Sequence, residues 1–187
     1  MRPGLLIVIS GPSGVGKDTV IRQLRELEPS LAKSVSFTTR PRRPGEIDNV
    51  DYVYTTRDHL ESLKGQLLES AEYDGNVYAT SATKVNELRD KGRDTILKID
   101  VQGAEQVRRL EPDALLIFIK PPSMEELDRR LKARKTESQR DMAARRLIAE
   151  KEMGYADQYD YVVVNDDVDR AAREVLEIIR RARERQT

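Results

Sequence analysis

A glycine-rich loop between an apolar run and a helical pattern is the feature that most restricts the fold of this chain. Residues 5–10 read LLIVIS, a continuous apolar run typical of a strand buried on both faces. The pattern GxxxxGK follows, and its backbone N–H groups and helix N-terminus favour a bound phosphate. The predicted nucleotide-binding residues are Gly11, Pro12, Ser13, Gly14, Val15, Gly16, Lys17, Asp18 and Thr19.

Strand and helix patterns alternate through most of the remaining chain. Buried strands are expected at 95–100, 114–119 and 161–165, and helices at about 19–27, 101–110, 123–134, 141–156 and 167–185. Strands that alternate with helices are typical of a parallel sheet with helices on both faces. The sequence therefore predicts an α/β fold, a P-loop parallel sheet flanked by helices.

Residues 34–82 interrupt this alternation. They are rich in proline, glycine and polar residues, and they contain short strand-like pieces at 51–55, 67–73 and 76–80. We therefore expect a small mixed-β insertion at 34–82 within a core domain formed by residues 1–33 and 83–187.

Composition narrows the classes of partner. The 187 residues suffice for one compact domain, and 33 basic residues balance 33 acidic ones. A neutral chain has no overall field that attracts nucleic acid or anionic membrane, so neither is an expected partner. The absence of cysteine excludes disulfides, thiolate metal sites and a cysteine nucleophile. The early apolar run is too short to span a membrane, and we expect a cytoplasmic monomer or homodimer.

The insertion carries a second group of phosphate-binding side chains. The run SFTTRPRRPGE at 36–46 combines three arginines with serine and threonine hydroxyls. Guanidinium forks and hydroxyl donors suit a phosphate monoester, although clustered arginines also occur in solvated basic loops. Because the phosphate loop lies on the same chain, this second site predicts phosphoryl transfer between two nucleotides.

At these motifs the chain resembles the guanylate kinase family. The family run S-x-T-T-R-x-x-R-x-G-E is matched at 36–46. Later matches are IDVQGA at 99–104, PPS-x-EEL at 121–127, RL-x-x-R-x-TES at 130–138 and VVVNDD at 162–167. The resemblance spans nearly the whole chain. It implies an enzyme that transfers the γ-phosphate of ATP to GMP in the presence of Mg²⁺, giving GDP and ADP.

The resemblance also implies roles for residues of a GMP-binding insertion. Glu69 would accept hydrogen bonds from guanine N1–H and from the N2 amino group, a donor pair that adenine lacks, and Thr80 would contact guanine O6. Asp100 would stand near Mg²⁺ and the substrates. The residues implied to hold or orient the GMP phosphate are Ser36, Arg40, Arg43, Tyr52 and Tyr78, with Glu46 orienting the arginines or the nucleotide.

A short helical lid at about 130–147 is implied beside the donor nucleotide. Its arginines would lie over the transferring phosphoryl group together with Lys17 and offset the charge on its oxygens; they are Arg130, Arg134 and Arg146. Asn165 resembles the family's contact to the adenine of ATP. A turn residue that caps the last helix together with Asp166 or Asp167 is an equally good interpretation of Asn165.

Four positions depart from the family pattern, namely Asp18, Lys98, Ala79 and Lys135, and the first two carry opposite charges. Asp18 stands where Gly or Ser is usual after the loop lysine, and Lys98 stands where an acidic residue is common. We hypothesise that Asp18 pairs with Lys98, or that Asp18 takes a metal-directed role, near Mg²⁺ through water.

Two other functions remain as alternatives at this point. The loop ending GKD also resembles that of ribose bisphosphate kinases, small-molecule kinases related to this family. Guanylate-kinase-like modules that bind partner proteins without catalysis are the second alternative. A nucleotide kinase is favoured over both, because the run at 36–46, Lys17 and the lid arginines are all present.

Overall fold

A computed structural model describes residues 3–133 and 139–185. The helices are α1 Lys17–Leu27, α2 Arg57–Ser62, α3 Ala82–Asp90, α4 Val101–Leu110, α5 Met124–Ala133, α6 Gln139–Met153 and α7 Val168–Arg185. The strands are β1 Leu6–Ser10, β2 Ala32–Lys33, β3 Phe37–Thr38, β4 Val53–Tyr54, β5 Leu67–Tyr73, β6 Asn76–Ser81, β7 Thr95–Lys98, β8 Leu115–Lys120 and β9 Tyr161–Val164.

The strands form a larger and a smaller sheet. The larger has the order β2-β7-β1-β8-β9, with β2 parallel to β7 and β8 parallel to β9. The smaller has the order β4-β3-β6-β5 and is mixed, because β3 runs parallel to β4 but antiparallel to β6. Every residue of β1 is buried, as its apolar run predicts. The predicted α/β fold with a parallel sheet and a small mixed sheet is confirmed.

The described chain divides into two compact units. The first comprises residues 1–8 and 30–114 and contains the mixed sheet. In this unit α4 packs on β5, and Phe37, Leu60 and Ala79 form a small buried cluster. The second unit comprises residues 9–29 and 115–187, and in it α1 packs along α7.

Several element boundaries differ from the sequence-based expectation for local reasons. Helix α1 begins at Lys17 and not at residue 19, because Gly16 adopts the left-handed conformation, with φ of 98°, and starts the helix directly after the loop. Strand β7 ends at Lys98, because Asp100 is the N-cap of α4 and accepts a hydrogen bond from the Gly103 N–H. The short strand β2 was not predicted.

Helix α3 was also not predicted. It begins after Ser81, whose hydroxyl accepts a hydrogen bond from the Lys84 N–H. Only Val85 is buried along its length, so the apolar period that identifies a helix in sequence is missing. Among the described helices, none combines the length and apolarity required to cross a membrane.

Candidate active site

In the second unit, the side chain of Lys17 folds back and binds the backbone of the glycine-rich loop. The Lys17 ammonium donates to the carbonyl oxygens of Gly11 and Pro12, the latter at 3.0 Å. The helix α1 begins at this residue, so its N-terminal N–H groups open on the same loop. A positive side chain, a helix N-terminus and a glycine turn thus meet at one place, as a phosphate site requires.

Asn165 lies against the same loop and not at the start of α7. Its Nδ2 donates to the Val15 carbonyl O at 2.8 Å, and a Cβ at Gly16 would stand 2.5 Å from that nitrogen. The cap of α7 is instead Asp167, whose Oδ1 accepts from the Arg170 N–H at 2.8 Å. The helix-capping interpretation of Asn165 is therefore wrong, and only a glycine at position 16 admits the amide so close.

The other atom of the Asn165 amide has an unusual environment. Asn165 is 2% exposed, and its Oδ1 has no hydrogen-bond partner within the residues that the structure describes. A buried acceptor without a donor costs free energy, so such atoms mark places where a ligand or water is expected. This oxygen would accept a hydrogen bond from an amino group.

Arg130 braces the loop from α5. Its guanidinium donates to the Val15 carbonyl O at 3.1 Å and to the Asn165 carbonyl O at 2.9 Å, and it pairs with Glu126 at 2.7 Å. The role over the transferring phosphoryl group that the resemblance implies for Arg130 stays a prediction. A cavity of about 420 Å³ adjoins this arginine, lined by Gly16, Thr19, Glu126, Arg129, Arg130, Asn165, Asp166 and Val168.

The remaining lid arginines are only partly described. Arg146 is exposed on α6, where it pairs with Asp128 and, at 3.0 Å, with Glu150. Arg134 lies outside the described residues. The predicted roles of both arginines at the phosphoryl group stay predictions.

In the first unit, Glu46 organises the arginine-rich loop. It pairs with Arg40 at 2.7 Å, accepts the Arg43 N–H at 2.7 Å and accepts the Tyr54 hydroxyl at 2.7 Å. Partial burial alone would raise the pKa of Glu46, but the three hydrogen bonds outweigh it and lower the pKa to about 2. Burial and the bond to this carboxylate raise the pKa of Tyr54 to about 12. The Glu46 carboxylate therefore holds the Arg40 guanidinium, and its implied role toward GMP stays a prediction.

The Tyr52 ring lies at the centre of a cluster of cations and aromatic rings. The guanidinium of Arg40 stands 5.6 Å from its centroid, and the ammonium of Lys98 stands 4.8 Å from it. The rings of Tyr54 and Tyr78 lie 6.2 and 5.8 Å away, edge-on. The two cations favour an anionic ligand here, and aromatic packing holds the tyrosine hydroxyls in place.

A buried carboxylate and two hydroxyls form a chain in the mixed sheet. Glu69 is 3% exposed, and its Oε1 accepts the Thr80 hydroxyl at 2.5 Å. The Ser36 and Thr80 hydroxyls are 3.1 Å apart. Sequence reasoning grouped Ser36 with the phosphate residues, whereas the structure places it in this chain beside Thr80.

A bulge in β5 and a glycine of α4 make room for the Glu69 carboxylate. The register of β5 on β6 shifts between Leu67 and Glu69, so that Leu68 and Glu69 are both buried although they are neighbours. A Cβ at Gly103 would stand 2.6 Å from Glu69 Oε2. Burial, together with the nearby Asp100 charge, raises the pKa of Glu69 to about 7, and the Thr80 hydrogen bond only partly opposes this.

Oxygen donors suitable for Mg²⁺ are present but sparse. Asp18 and Thr19 lie at the N-terminus of α1, where Asp18 is exposed. Within the part of the chain that the structure describes, three or more acidic or histidine side chains nowhere gather as a metal cage. Mg²⁺ usually keeps several waters and binds one or two protein oxygens together with substrate phosphates.

Replacing Glu46 with glutamine is expected to lower the free energy of unfolding by about 1–2 kcal/mol at pH 7, because Arg40 loses its charged partner. The pKa of Glu46 falls from 4.5 to about 2 on folding. Its stabilisation is therefore present above pH 4.5 and is lost as the pH falls toward 2. Urea unfolding of wild type and Glu46→Gln should show a difference in the free energy of unfolding that becomes smaller as the pH falls from 6 to 3.

The control for this prediction is Glu61→Gln, which removes an exposed pair with Lys64. We expect it to change the free energy of unfolding by about 0.5 kcal/mol or less at every pH. A Glu46→Gln difference that matches this control, or that does not depend on pH, would contradict the account of the loop.

A family model, related sequences and a solved structure all match this chain to the same family. The family model described as Guanylate kinase matches residues 4–182. The chain is 49% identical to the guanylate kinase of Rubrobacter xylanophilus, over 97% of this chain and 96% of that protein. It is 50% identical to the guanylate kinase of Lactococcus lactis, over 94% of this chain and 87% of that protein. The crystal structure of guanylate kinase from Anaplasma phagocytophilum matches with a TM-score of 0.80 and 36% identity, covering 96% of this chain and 86% of that one.

Proposed function

The chain belongs to the guanylate kinase family and is an ATP:GMP phosphotransferase, and we propose how its residues divide the work. Two sites, one in each unit, carry the proposal. The buried Glu69–Thr80–Ser36 chain would read guanine, and the loop around Lys17 would hold the phosphates of ATP. The observation that carries most weight is the buried carboxylate of Glu69, held by Thr80 at 2.5 Å.

Guanine suits the Glu69 pocket because of its hydrogen-bond donors. An ionised carboxylate offers two acceptor oxygens, and guanine presents N1–H and the N2 amino group on one edge. Each hydroxyl has one proton, so Thr80 would turn its own from Glu69 to guanine O6, and Ser36 would donate to Thr80. Adenine has an acceptor at N1 and would leave a buried carboxylate without donors, which is costly, so AMP is rejected.

The GMP phosphate is assigned to the neighbouring cluster of the same unit. Arg40 and Arg43 would supply charge-assisted hydrogen bonds, and Tyr52 and Tyr78 would supply neutral donors. Glu46 would touch no substrate in this scheme. It orients Arg40 and the backbone at Arg43, so that the guanidinium is held ready for the phosphate.

The ATP phosphates are assigned to the loop of residues 11–19, and the adenine to the cavity beside Asn165. Adenine carries an amino group, which is the donor that the buried Asn165 Oδ1 requires. Guanine presents an oxygen at the same ring position, so this acceptor favours ATP over GTP as the phosphoryl donor.

In the transfer step, the chain's own cations offset charge. Lys17 would contact the β and γ phosphates, and Arg146 and Arg134 would approach the phosphoryl oxygens. Mg²⁺, when bound, would neutralise phosphate charge, and Asp18 and Thr19 at the start of α1 are the protein oxygens proposed near it. The place of Asp100 near Mg²⁺ stays a prediction. No general base is assigned, because in-line transfer of this kind depends on position and charge.

The test of this function is the identity of the products and acceptors. Chromatography of a reaction with GMP, ATP and Mg²⁺ should show GDP and ADP forming in equal amounts. Ribose 1,5-bisphosphate in place of GMP should give no ADP above background. Retained ATP binding with no transfer to GMP would support a non-catalytic module instead.

Three other expectations from the sequence stay predictions. They are the core and insertion boundaries at 34 and 82, the cytoplasmic location, and the monomeric or homodimeric state.

Replacing Asn165 with alanine is expected to raise the KM for ATP about tenfold, because the loss of an adenine hydrogen bond costs about 1 kcal/mol or more. The KM for GMP should change little, because Asn165 takes no part in the proposed acceptor site. The matched control is Asp167→Ala, which removes the α7 cap and should lower stability without changing the KM for ATP. Equal KM values for ATP in wild type and Asn165→Ala would contradict the adenine assignment.

A further inference from the structure

The strand that carries Glu69 is fastened on its open side by glutamines of α4, with Gln106 bound at Ser70 and Gln102 making one longer hydrogen bond at Glu72. Strand β5 lies at the edge of the mixed sheet and pairs with β6 on one side only. On the other side, Gln106 Nε2 donates to the Ser70 carbonyl O at 2.8 Å, and Gln106 Oε1 accepts the Ser70 N–H at 3.1 Å. One side-chain amide therefore makes both hydrogen bonds that a neighbouring strand would make with Ser70.

The pairing with β6 is irregular close to the same place. The bulge between Leu67 and Glu69 interrupts the regular register immediately before the base-reading residue. A bulge bends its strand and re-aims the side chains beside it. The direction of Glu69 therefore depends on a second anchor for the backbone, and Ser70 is the next residue along the chain.

The helix that supplies this anchor also forms one wall of the Glu69 pocket. Asp100 is the N-cap of α4 and acts electrostatically on Glu69, and Gly103 leaves space for Glu69 Oε2. Gln106 lies on the next turn of α4. The glutamine thus ties the strand that carries the carboxylate to the helix against which the carboxylate rests.

We propose that Gln106 is a positioning residue for guanine recognition, which holds the β5 backbone at Ser70 so that Glu69 faces the base. The inference rests on the proposed role of Glu69 as the reader of guanine. Gln106 touches no substrate in this scheme. Displacing a recognition group by about 1 Å costs up to about a hundredfold in rate, so loss of the anchor is measurable.

The variant that tests this is Gln106→Met, which keeps the length of the side chain and removes both hydrogen bonds. We expect the KM for GMP to rise about tenfold and the preference for GMP over IMP, which lacks the N2 amino group, to fall about tenfold. The KM for ATP should stay within about twofold of wild type. A residue that only stabilises the fold would lower the melting temperature and leave the GMP-to-IMP preference unchanged, and that result would overturn the proposal.

The matched control is Gln102→Met, on the same helix and facing the same strand. Gln102 makes one longer hydrogen bond, from Nε2 to the Glu72 carbonyl O at 3.3 Å. We expect its preference for GMP over IMP to stay within about twofold of wild type. An equal loss in the Gln102 and Gln106 variants would overturn the specific role of Gln106.

A second variant keeps the proposal testable if Gln106→Met does not fold. Gln106→Glu retains an acceptor for the Ser70 N–H but places a carboxylate against the Ser70 carbonyl O, and it should lose GMP preference in the same direction. Glu69→Gln distinguishes the positioning role of Gln106 from the recognition of guanine by Glu69. If Glu69→Gln loses the preference and both Gln106 variants keep it, the positioning role alone fails. If Glu69→Gln itself keeps the preference, the proposed base reading fails.

Discussion

Glutamine in place of Glu69 is expected to raise the KM for GMP about a hundredfold at pH 8, because a buried charge-assisted hydrogen bond is worth about 3 kcal/mol. The amide keeps the size of the side chain and its bond to Thr80, but it turns an N–H₂ group toward a guanine donor. The KM for ATP and the kcat at saturating GMP should change far less. Initial rates over a range of GMP concentrations measure each quantity.

The control for this substitution is Glu72→Gln on the same strand. Glu72 is exposed and pairs with Arg57, so its replacement should leave the KM for GMP unchanged. A Glu69→Gln enzyme with wild-type KM for GMP would contradict the base-reading assignment.

The same carboxylate makes GMP binding depend on pH. Because burial raises the pKa of Glu69 to about 7, the free enzyme holds a neutral carboxyl below that pH. A neutral carboxyl accepts less well from guanine, so the KM for GMP should rise as the pH falls from 8 to 6. The GMP phosphate also titrates near a pH of about 6, and the profile of Glu69→Gln isolates that contribution.

The raised pKa of Glu69 also makes the stability of the fold depend on pH. Ionising Glu69 is harder in the folded chain than in the unfolded chain, so this group lowers the free energy of unfolding as the pH rises above 4.5. Glu69→Gln should therefore be at least as stable as wild type at pH 8. A variant that is more stable and binds substrate poorly is typical of a functional site.

Methionine in place of Lys17 is expected to lower kcat about a thousandfold, because the ammonium offsets charge on the phosphates during transfer. Methionine preserves much of the length and removes the charge. In the folded chain this ammonium donates to the carbonyl oxygens of Gly11 and Pro12. Its loss should therefore also loosen the loop and raise the KM for ATP, while GMP binding persists.

Lys64→Met is the control, because Lys64 is exposed and pairs only at the surface with Glu61. Turnover in that variant should equal wild type. Calorimetric titration of Lys17→Met with GMP separates lost catalysis from lost folding. A kcat within about tenfold of wild type would contradict the role of Lys17 in the transfer step.

The glycine-rich loop of residues 11–19 was predictable because the sequence patterns that identify it are adjacent in the chain. An apolar strand, glycines at fixed spacing, a lysine and an amphipathic helix follow one another within residues 5–27, and the structure has them in that order. The long strands and helices of the core were predictable for the same reason. Helix α3 was not, because Val85 is its one buried residue and no apolar period marks it.

The acceptor site depends on contacts between residues far apart in sequence. Ser36 meets Thr80 across 44 positions, and the burial of Glu69 requires both the β5 bulge and Gly103. No window of sequence contains those conditions, so the resemblance alone identified Glu69. The Tyr54 bond to Glu46 and the Gln106 anchor were missed, because neither pairing leaves a periodic signal.

Asp18 and Lys98 illustrate the same limit at the departures from the family pattern. The structure gives Lys98 a place over the Tyr52 ring, which no spacing in the sequence indicated. The proposed pairing of Asp18 with Lys98, and the metal-directed alternative for Asp18, stay hypotheses. The dependence of the rate on Mg²⁺ concentration in Asp18→Ser is the measurement that separates them.

The central claim is that a buried carboxylate selects guanine for phosphorylation by ATP. Its most direct test is the kcat/KM of the wild-type enzyme for GMP, IMP and AMP, measured with saturating ATP and Mg²⁺ at pH 8. The account predicts the order GMP, IMP, AMP, with GMP preferred over AMP by at least about a thousandfold, because a pocket built for donors rejects a base without them. A kcat/KM for AMP within about tenfold of that for GMP would contradict it.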